Sequence, residues 1–448
     1  MSGPDQHLTR GRGARPRRFR AAPGRLTAWR GLGLAPHRAS SATLAGAYPF
    51  LTAPALDRGV LVGTDALTGG PFCFDPWDLY AAGELTNPNL LLAGVIGQGK
   101  SALAKSLAVR SIAAGRRVYV PGDPKGEWAA VARAVGGVVL ALGPGSAVRL
   151  NPLDAGDGDP AAVHGRRARL LVALAETTLG RPLRPAEHGA LDAAVTVAAR
   201  RPAPTVPDVI DALAAPDPDA ARADGSTAVE RTAEGREVAH GLRRLVRGDL
   251  AGLFDGPSTG HLDPAAPMVA LDLSRLGSNE DALALAMTCT SAWLEAALAA
   301  PGAGPRWVIY DEAWRLMRSQ ALVQRMQAQW KLSRAYGIAN LLILHRLSDL
   351  DAVGHAGTEA RAIAAGLLAD CSTRVIYRQE TDQLAATAAA LGLTGTERDL
   401  LPALGRGTGL WKLPRRSHVV HHHLHPDEAA LFDTDAAMRA YPTGKVPS

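Results

Sequence analysis

The chain has 448 residues, 49 Lys plus Arg against 43 Asp plus Glu, and a formal charge of +6. The excess is local, because residues 1–40 hold nine arginines and one acid, which leaves the rest of the chain at a net −2. A hydrophobic content of 47% excludes a wholly disordered chain, and no run approaches the ~18 consecutive apolar residues of a membrane span.

Residues 1–45, rich in Gly, Pro, Arg and Ala without periodicity, read as a disordered basic arm. The arm lacks the apolar stretch of a secretory signal, so a cytoplasmic location is expected. Cys73, Cys289 and Cys371 lie too far apart in sequence to suggest a disulfide framework or a metal-ligand spacing, as expected of buried thiols in a reducing compartment. Two apolar runs, Val60-Leu61-Val62 and Pro71-Phe72-Cys73-Phe74, flank the turn residues Thr68-Gly69-Gly70 and predict a hairpin. Strand and helix patterns then alternate: strands at 89–93, 117–120 and 137–142, helices at 101–114 and 126–134. Residues 155–253, Ala-, Arg- and Asp-rich with helical spacing, predict an all-helical insertion. Alternation resumes with strands at 268–273, 307–310, 339–344 and 373–377, and helices at 281–299, 313–336 and 358–369. This pattern predicts an α/β fold with a mostly parallel sheet flanked by helices. The expected organisation is the arm (1–45), the hairpin and first half of the core (46–154), the insertion (155–253), the second half of the core (254–435) and a tail (436–448).

Gly94-Val95-Ile96-Gly97-Gln98-Gly99-Lys100-Ser101 fits the P-loop pattern G-x-x-x-x-G-K-[ST] between a predicted strand and a predicted helix. Backbone N–H groups of such a loop, residues 94–102 with Ala102 in the first helical turn, curl around a polyphosphate. Lys100 is expected on the β- and γ-phosphates and Ser101 on Mg²⁺. The apolar run Trp307-Val308-Ile309-Tyr310 ends in Asp311-Glu312. Asp311 is suited to Mg²⁺, directly or through water, and Glu312 to activating the attacking water. Asp123-Pro124-Lys125-Gly126-Glu127 follows the second core strand, where a parallel sheet presents its loops, so Lys125 and Glu127 are near-site candidates. His345 ends another strand on the same edge and suits a polar sensor. His421, His423 and His425 would share one face of a strand and are candidate Zn²⁺ ligands, although no cysteine or carboxylate stands at suitable spacing.

The P-loop segment NLLLAGVIGQGKS (89–101) is followed in order by DPKGEW (123–128), LNPLD (150–154), VALDLSRL (269–276), IYDEAW (309–314) and LHRLSDL (344–350). This ordered set resembles the type IV secretion and conjugation ATPases of the HerA/FtsK superfamily of P-loop motors, over about residues 48–433. The resemblance implies a RecA-like (ASCE) P-loop fold whose Walker A lysine is Lys100 and whose Walker B acids are Asp311 and Glu312. It implies ATP and Mg²⁺ as ligands and a ring-shaped homo-oligomer, a hexamer, working with the proteins of a secretion or conjugation channel. Arg374, with Arg378 second, is implied as an arginine finger reaching a neighbouring subunit's nucleotide. Members usually carry Gln where this chain has His345. They also carry a large N-terminal domain where this chain has only the arm and hairpin. The implied activity is ATP hydrolysis driving conjugative transfer or secretion. A motor acting directly on DNA and a non-hydrolysing, nucleotide-stabilised scaffold are the alternatives. Residues 1–40 suit peripheral contact with an acidic membrane face or with nucleic acid.

Overall fold

The computed structural model describes residues 56, 58–154, 159–259, 263, 266–298, 304–313, 320–344 and 359–432. The basic arm and the tail fall outside these.

Eleven strands form a single sheet: β1 (Val60–Asp65), β2 (Pro71–Phe74), β3 (Leu90–Ala93), β4 (Arg117–Asp123), β5 (Val138–Ala141), β6 (Met268–Asp272), β7 (Arg306–Tyr310), β8 (Ile338–Leu344), β9 (Thr373–Ile376), β10 (Thr408–Lys412) and β11 (Ser417–His422). Their order is β2-β1-β11-β10-β9-β3-β8-β7-β4-β6-β5. From β9 to β5 every pairing is parallel. The remaining four strands add an antiparallel extension at one end. The α/β, mostly parallel architecture read from the sequence is therefore the observed one. The predicted hairpin is β1–β2, and the strand that joins it to the rest of the sheet is β11, a pairing with no local sequence signal.

Both faces of the sheet are covered, which explains why its strands are almost wholly apolar. Leu90 and Leu92 point to one face and Leu91 to the other, and all three are completely buried. The first face packs α2 (Lys100–Ala113) and α3 (Glu127–Ala134), with Trp128 and Trp307 fully buried between them and the sheet. Helix α1 (Pro76–Ala81) docks there too, Trp77 donating its indole N–H to the Gly337 carbonyl at 3.0 Å. The opposite face packs the helices of the insertion, α4 (Pro160–Leu179), α5 (Pro185–Ala198), α6 (Val206–Ala214), α7 (Pro218–Ala223) and α8 (Ala228–Leu242). It also takes α9 (Glu280–Leu298), α10 (Gln320–Ser333) and α11 (Glu359–Ala369). Leu171, Leu191 and Val238 of the insertion share one apolar cluster with Val269 and Leu342 of the sheet. Helices α12 (Leu384–Leu391), α13 (Gly395–Leu400) and α14 (Pro426–Leu431) flank the antiparallel end. No helix among the described residues is long and apolar enough to cross a membrane.

The insertion begins its helices by local chemistry. Asp159, Thr205 and Thr227 stand as N-caps, and proline follows in the first turn of α4 and α6. Glu187 of α5 is 1% exposed and accepts hydrogen bonds from Arg181 at 2.7 and 2.8 Å and from Arg184 at 2.7 Å. The Arg181 bonds, with Arg184 behind them and against the cost of burial, hold its carboxyl well below the usual carboxylate range. The contribution is present above the ordinary value of 4.5 and fades as pH falls below it. Glu187→Ala is therefore expected to lower Tm at pH 7 by about 2–4 °C, with the difference from the parent shrinking under acid, read by calorimetry.

Candidate functional site

The carboxyl ends of the parallel strands converge on one edge. Ala93, the last residue of β3, pairs with Leu344 of β8 on one side and Ile376 of β9 on the other. Tyr310, the last of β7, pairs with Leu342. Strand β8 therefore lies between the strand that leads into Gly94 and the strand that leads into Asp311.

The loop from Gly94 to Gly99 has the backbone its glycines permit. Gly94, Gly97 and Gly99 have φ of 153°, 81° and 101°. A Cβ on Gly94 would stand 2.6 Å from the Tyr377 Cβ, so this position requires glycine on steric grounds as well. The loop is tied to its neighbours by Val95 N–H donating to the Arg378 carbonyl at 3.1 Å and Gly407 N–H to the Gln98 carbonyl at 3.0 Å. Its outer rim, Ile96 and Gly97, is exposed, with Ile96 at 72%. Lys100 is buried, its ammonium donating to the carbonyls of Gly94 at 2.5 Å and Val95 at 2.9 Å. Ser101 and Ala102 follow in the first turn of α2, both half-buried. Positive-φ glycines, an exposed rim and a lysine ammonium held over the loop carbonyls are the features of a loop suited to a polyphosphate.

Across β8 stand the acids. Asp311 is buried and accepts from the Trp128 indole N–H at 3.0 Å and from the Glu312 backbone N–H at 3.0 Å. Burial pushes its carboxyl up; the Trp128 bond opposes this, and the charges of Glu312 and Glu127 add to it. Glu312 is 4% exposed and ion-paired with Lys125. Its φ of 56° makes it the only non-glycine with positive φ among the described residues. The turn after β4 and the helix it opens thus supply a partner to each acid: Lys125 to Glu312 and Trp128 to Asp311. Glu127 instead meets the buried Lys105 of α2 at 2.8 Å and ties the P-loop helix to α3.

Trp128 was not singled out by sequence reasoning; the signal lay in DPKGEW, where a tryptophan sits one turn past a strand end. Asp123 was also missed. Its carboxylate accepts from Trp128 N–H at 2.7 Å and Glu127 N–H at 3.2 Å, capping α3.

Arg374 lies on β9 level with Leu91, two residues short of the edge, and donates to the Leu391 carbonyl at 2.8 Å. Arg378 is exposed beside the loop. His345 lies outside the described residues. The histidines near the C-terminus take separate partners: His421 meets the Thr408 hydroxyl at 2.5 Å, His423 the Thr64 hydroxyl at 3.1 Å, and His425 caps α14. No group of three or more His, Cys, Asp or Glu placed to hold a metal ion occurs among the described residues.

No protein-family model matches the chain, and no curated protein matches it significantly. Solved structures do. VirB4 of Thermoanaerobacter pseudethanolicus superposes with a TM-score of 0.67 at 22% identity, over 83% of this chain and 98% of that one. This chain has the fold of VirB4. The plasmid coupling protein TrwB in complex with ADP and Mg²⁺ superposes with a TM-score of 0.56 at 16% identity, over 82% and 90% of the two chains. TrwB with the ATP analogue ADPNP gives 0.56 at 16%, over 86% and 93%. At these identities the likeness is one of fold, a P-loop ATPase-type α/β sheet carrying this chain's own Lys100, Asp311 and Glu312.

Burial raises Asp123 to about 6, with the charges of Asp311 and Asp272 adding and its two backbone bonds opposing. Between 3.8 and about 6 the folded chain keeps a proton that the unfolded chain has lost, so stability falls as pH rises through that window. Asp123→Asn is expected to flatten the pH dependence of the urea midpoint there; a slope equal to the parent's would refute the assignment.

Proposed function

We infer that the chain is an ATP-hydrolysing motor that energises conjugative DNA transfer or type IV secretion. The observation that carries this is the meeting of an intact P-loop and the Asp311-Glu312 pair on one sheet edge, with β8 between their strands. Lys100 exchanges the Gly94 and Val95 carbonyls for phosphate oxygens of the nucleotide, at little cost because its ammonium is already held over the loop. Ser101 and Asp311 offer two hard oxygen donors, and a buried carboxyl whose ionisation is disfavoured gains from a cation beside it. That suits Mg²⁺, which takes few protein ligands and completes its shell with water and phosphate. The metal supplies charge neutralisation on the phosphates when bound. Glu312 takes the proton of the attacking water. His345 is assigned as the sensing group after β8, and Arg374, or second Arg378, as the arginine offered to a neighbouring subunit.

The working form is a ring of identical subunits, a hexamer, located in the cytoplasm against the membrane face of a secretion or conjugation channel. The TrwB structures are those of a conjugative coupling protein, which supports DNA as the transported polymer. Residues 1–40 add an electrostatic tether to that membrane face or to nucleic acid.

Glu312→Gln is expected to retain ATP binding and to lose at least about 10²-fold in turnover, measured by phosphate release. Turnover of the parent is expected to rise when single- or double-stranded DNA is added. Hydrolysis by Glu312→Gln at the parental rate would remove the assignment.

A further inference from the structure

The turn after β4 is held on both sides of Lys125. Before it, the Asp123 carboxylate is fixed by two backbone N–H groups of α3. After it, Gly126 at φ 71° packs so closely that a Cβ there would stand 3.2 Å from the Ser274 hydroxyl. From this fixed base the Lys125 side chain, 51% exposed, crosses from β4 to β7 and pairs with the buried Glu312. The neighbouring acids have partners of their own: Asp311, after β7, accepts from Trp128, and Glu127, at the start of α3, is paired with Lys105. Lys125 therefore combines a rigid backbone, a solvent-accessible ammonium and direct contact with the carboxylate assigned to activate water.

That contact opposes catalysis as it stands. An ammonium bonded to a general base occupies the lone pair that must receive the proton. Glu312 is at the same time held in a left-handed backbone conformation that L-residues avoid. Burial works against the charge on Lys125, but the Glu312 bond and the charges of Glu312, Asp311 and Glu127 outweigh it, so the ammonium stays protonated.

We propose that Lys125 is a γ-phosphate-responsive clamp on Glu312, bonded to the carboxylate in the empty site and drawn to the terminal phosphate when ATP, but not ADP, is bound. Glu312 is thereby released to the attacking water only when there is a γ-phosphate to attack, and Lys125 contributes to preference for the triphosphate. Lys125 is a positioning and specificity-determining residue, and the proposal rests on the reading of Glu312 as the base.

The test compares Mg²⁺-dependent binding of ADPNP and ADP by calorimetry on the full chain. Lys125→Met is expected to weaken ADPNP about tenfold, the worth of one charge-assisted hydrogen bond, and to leave ADP within about twofold. Lys125→Arg keeps the charge and is expected to preserve most of the ADPNP preference. Glu312→Gln removes the competing partner and is expected to tighten ADPNP, a gain lost again in the Lys125→Met, Glu312→Gln double variant. Equal weakening of both nucleotides in Lys125→Met, or no change in either, overturns the proposal. The two readings fail separately. Parental hydrolysis by Glu312→Gln removes Glu312 as the base, whereas an unchanged ADPNP-to-ADP affinity ratio in Lys125→Met removes Lys125 as the sensor.

Discussion

A parallel strand can be joined to its neighbour only by a connection that passes over a face of the sheet. In this chain the connections cover both faces, so most strand residues from β9 to β6 are buried and leave little surface for polar chemistry. Reactive groups are displaced to the strand ends, and parallel pairing brings those ends to the same edge. The P-loop after β3, the acids after β7 and the turn after β4 are consequences of that one constraint. The antiparallel extension, free of it, carries turns at both ends and contributes packing through Phe72, Phe74 and Trp411.

Collecting acids on a buried edge raises an electrostatic problem. Asp123, Asp311 and Glu312 are all nearly inaccessible, and isolated carboxylates there would be driven towards protonation. Each is met differently: Asp123 by the amino end of α3, Asp311 by an indole N–H, Glu312 by an ammonium. The compensation is incomplete, since Asp123 and Asp311 remain raised. The lysine of the P-loop stands on the other side of β8 from Asp311 and Glu312.

Most of the parallel sheet was legible in the sequence because double-sided burial writes itself as uninterrupted apolar runs such as Leu90-Leu91-Leu92. The P-loop was legible because its glycines answer to backbone angles and to the Tyr377 contact rather than to packing preference. Strand β10 and the pairing of β11 with β1 were not, since pairing across hundreds of residues leaves no periodic trace. Nor was the left-handed Glu312, whose conformation is imposed by tertiary contacts and contradicts its own preference. The histidines at 421–425 look like one cluster in sequence, but the end of β11 and the start of α14 send them to different partners.

The pairing of β1 with β11 has a consequence for how the molecule is made. Thr64 and His423 touch across 359 positions of chain. During synthesis the first hairpin leaves the ribosome on the order of tens of seconds before its partner strand exists. Through that interval β1 has one unpaired edge, and Val62 and Phe72 lack the covering that Trp411 and Val420 later supply. The sheet is therefore completed last at the edge that its first two strands occupy.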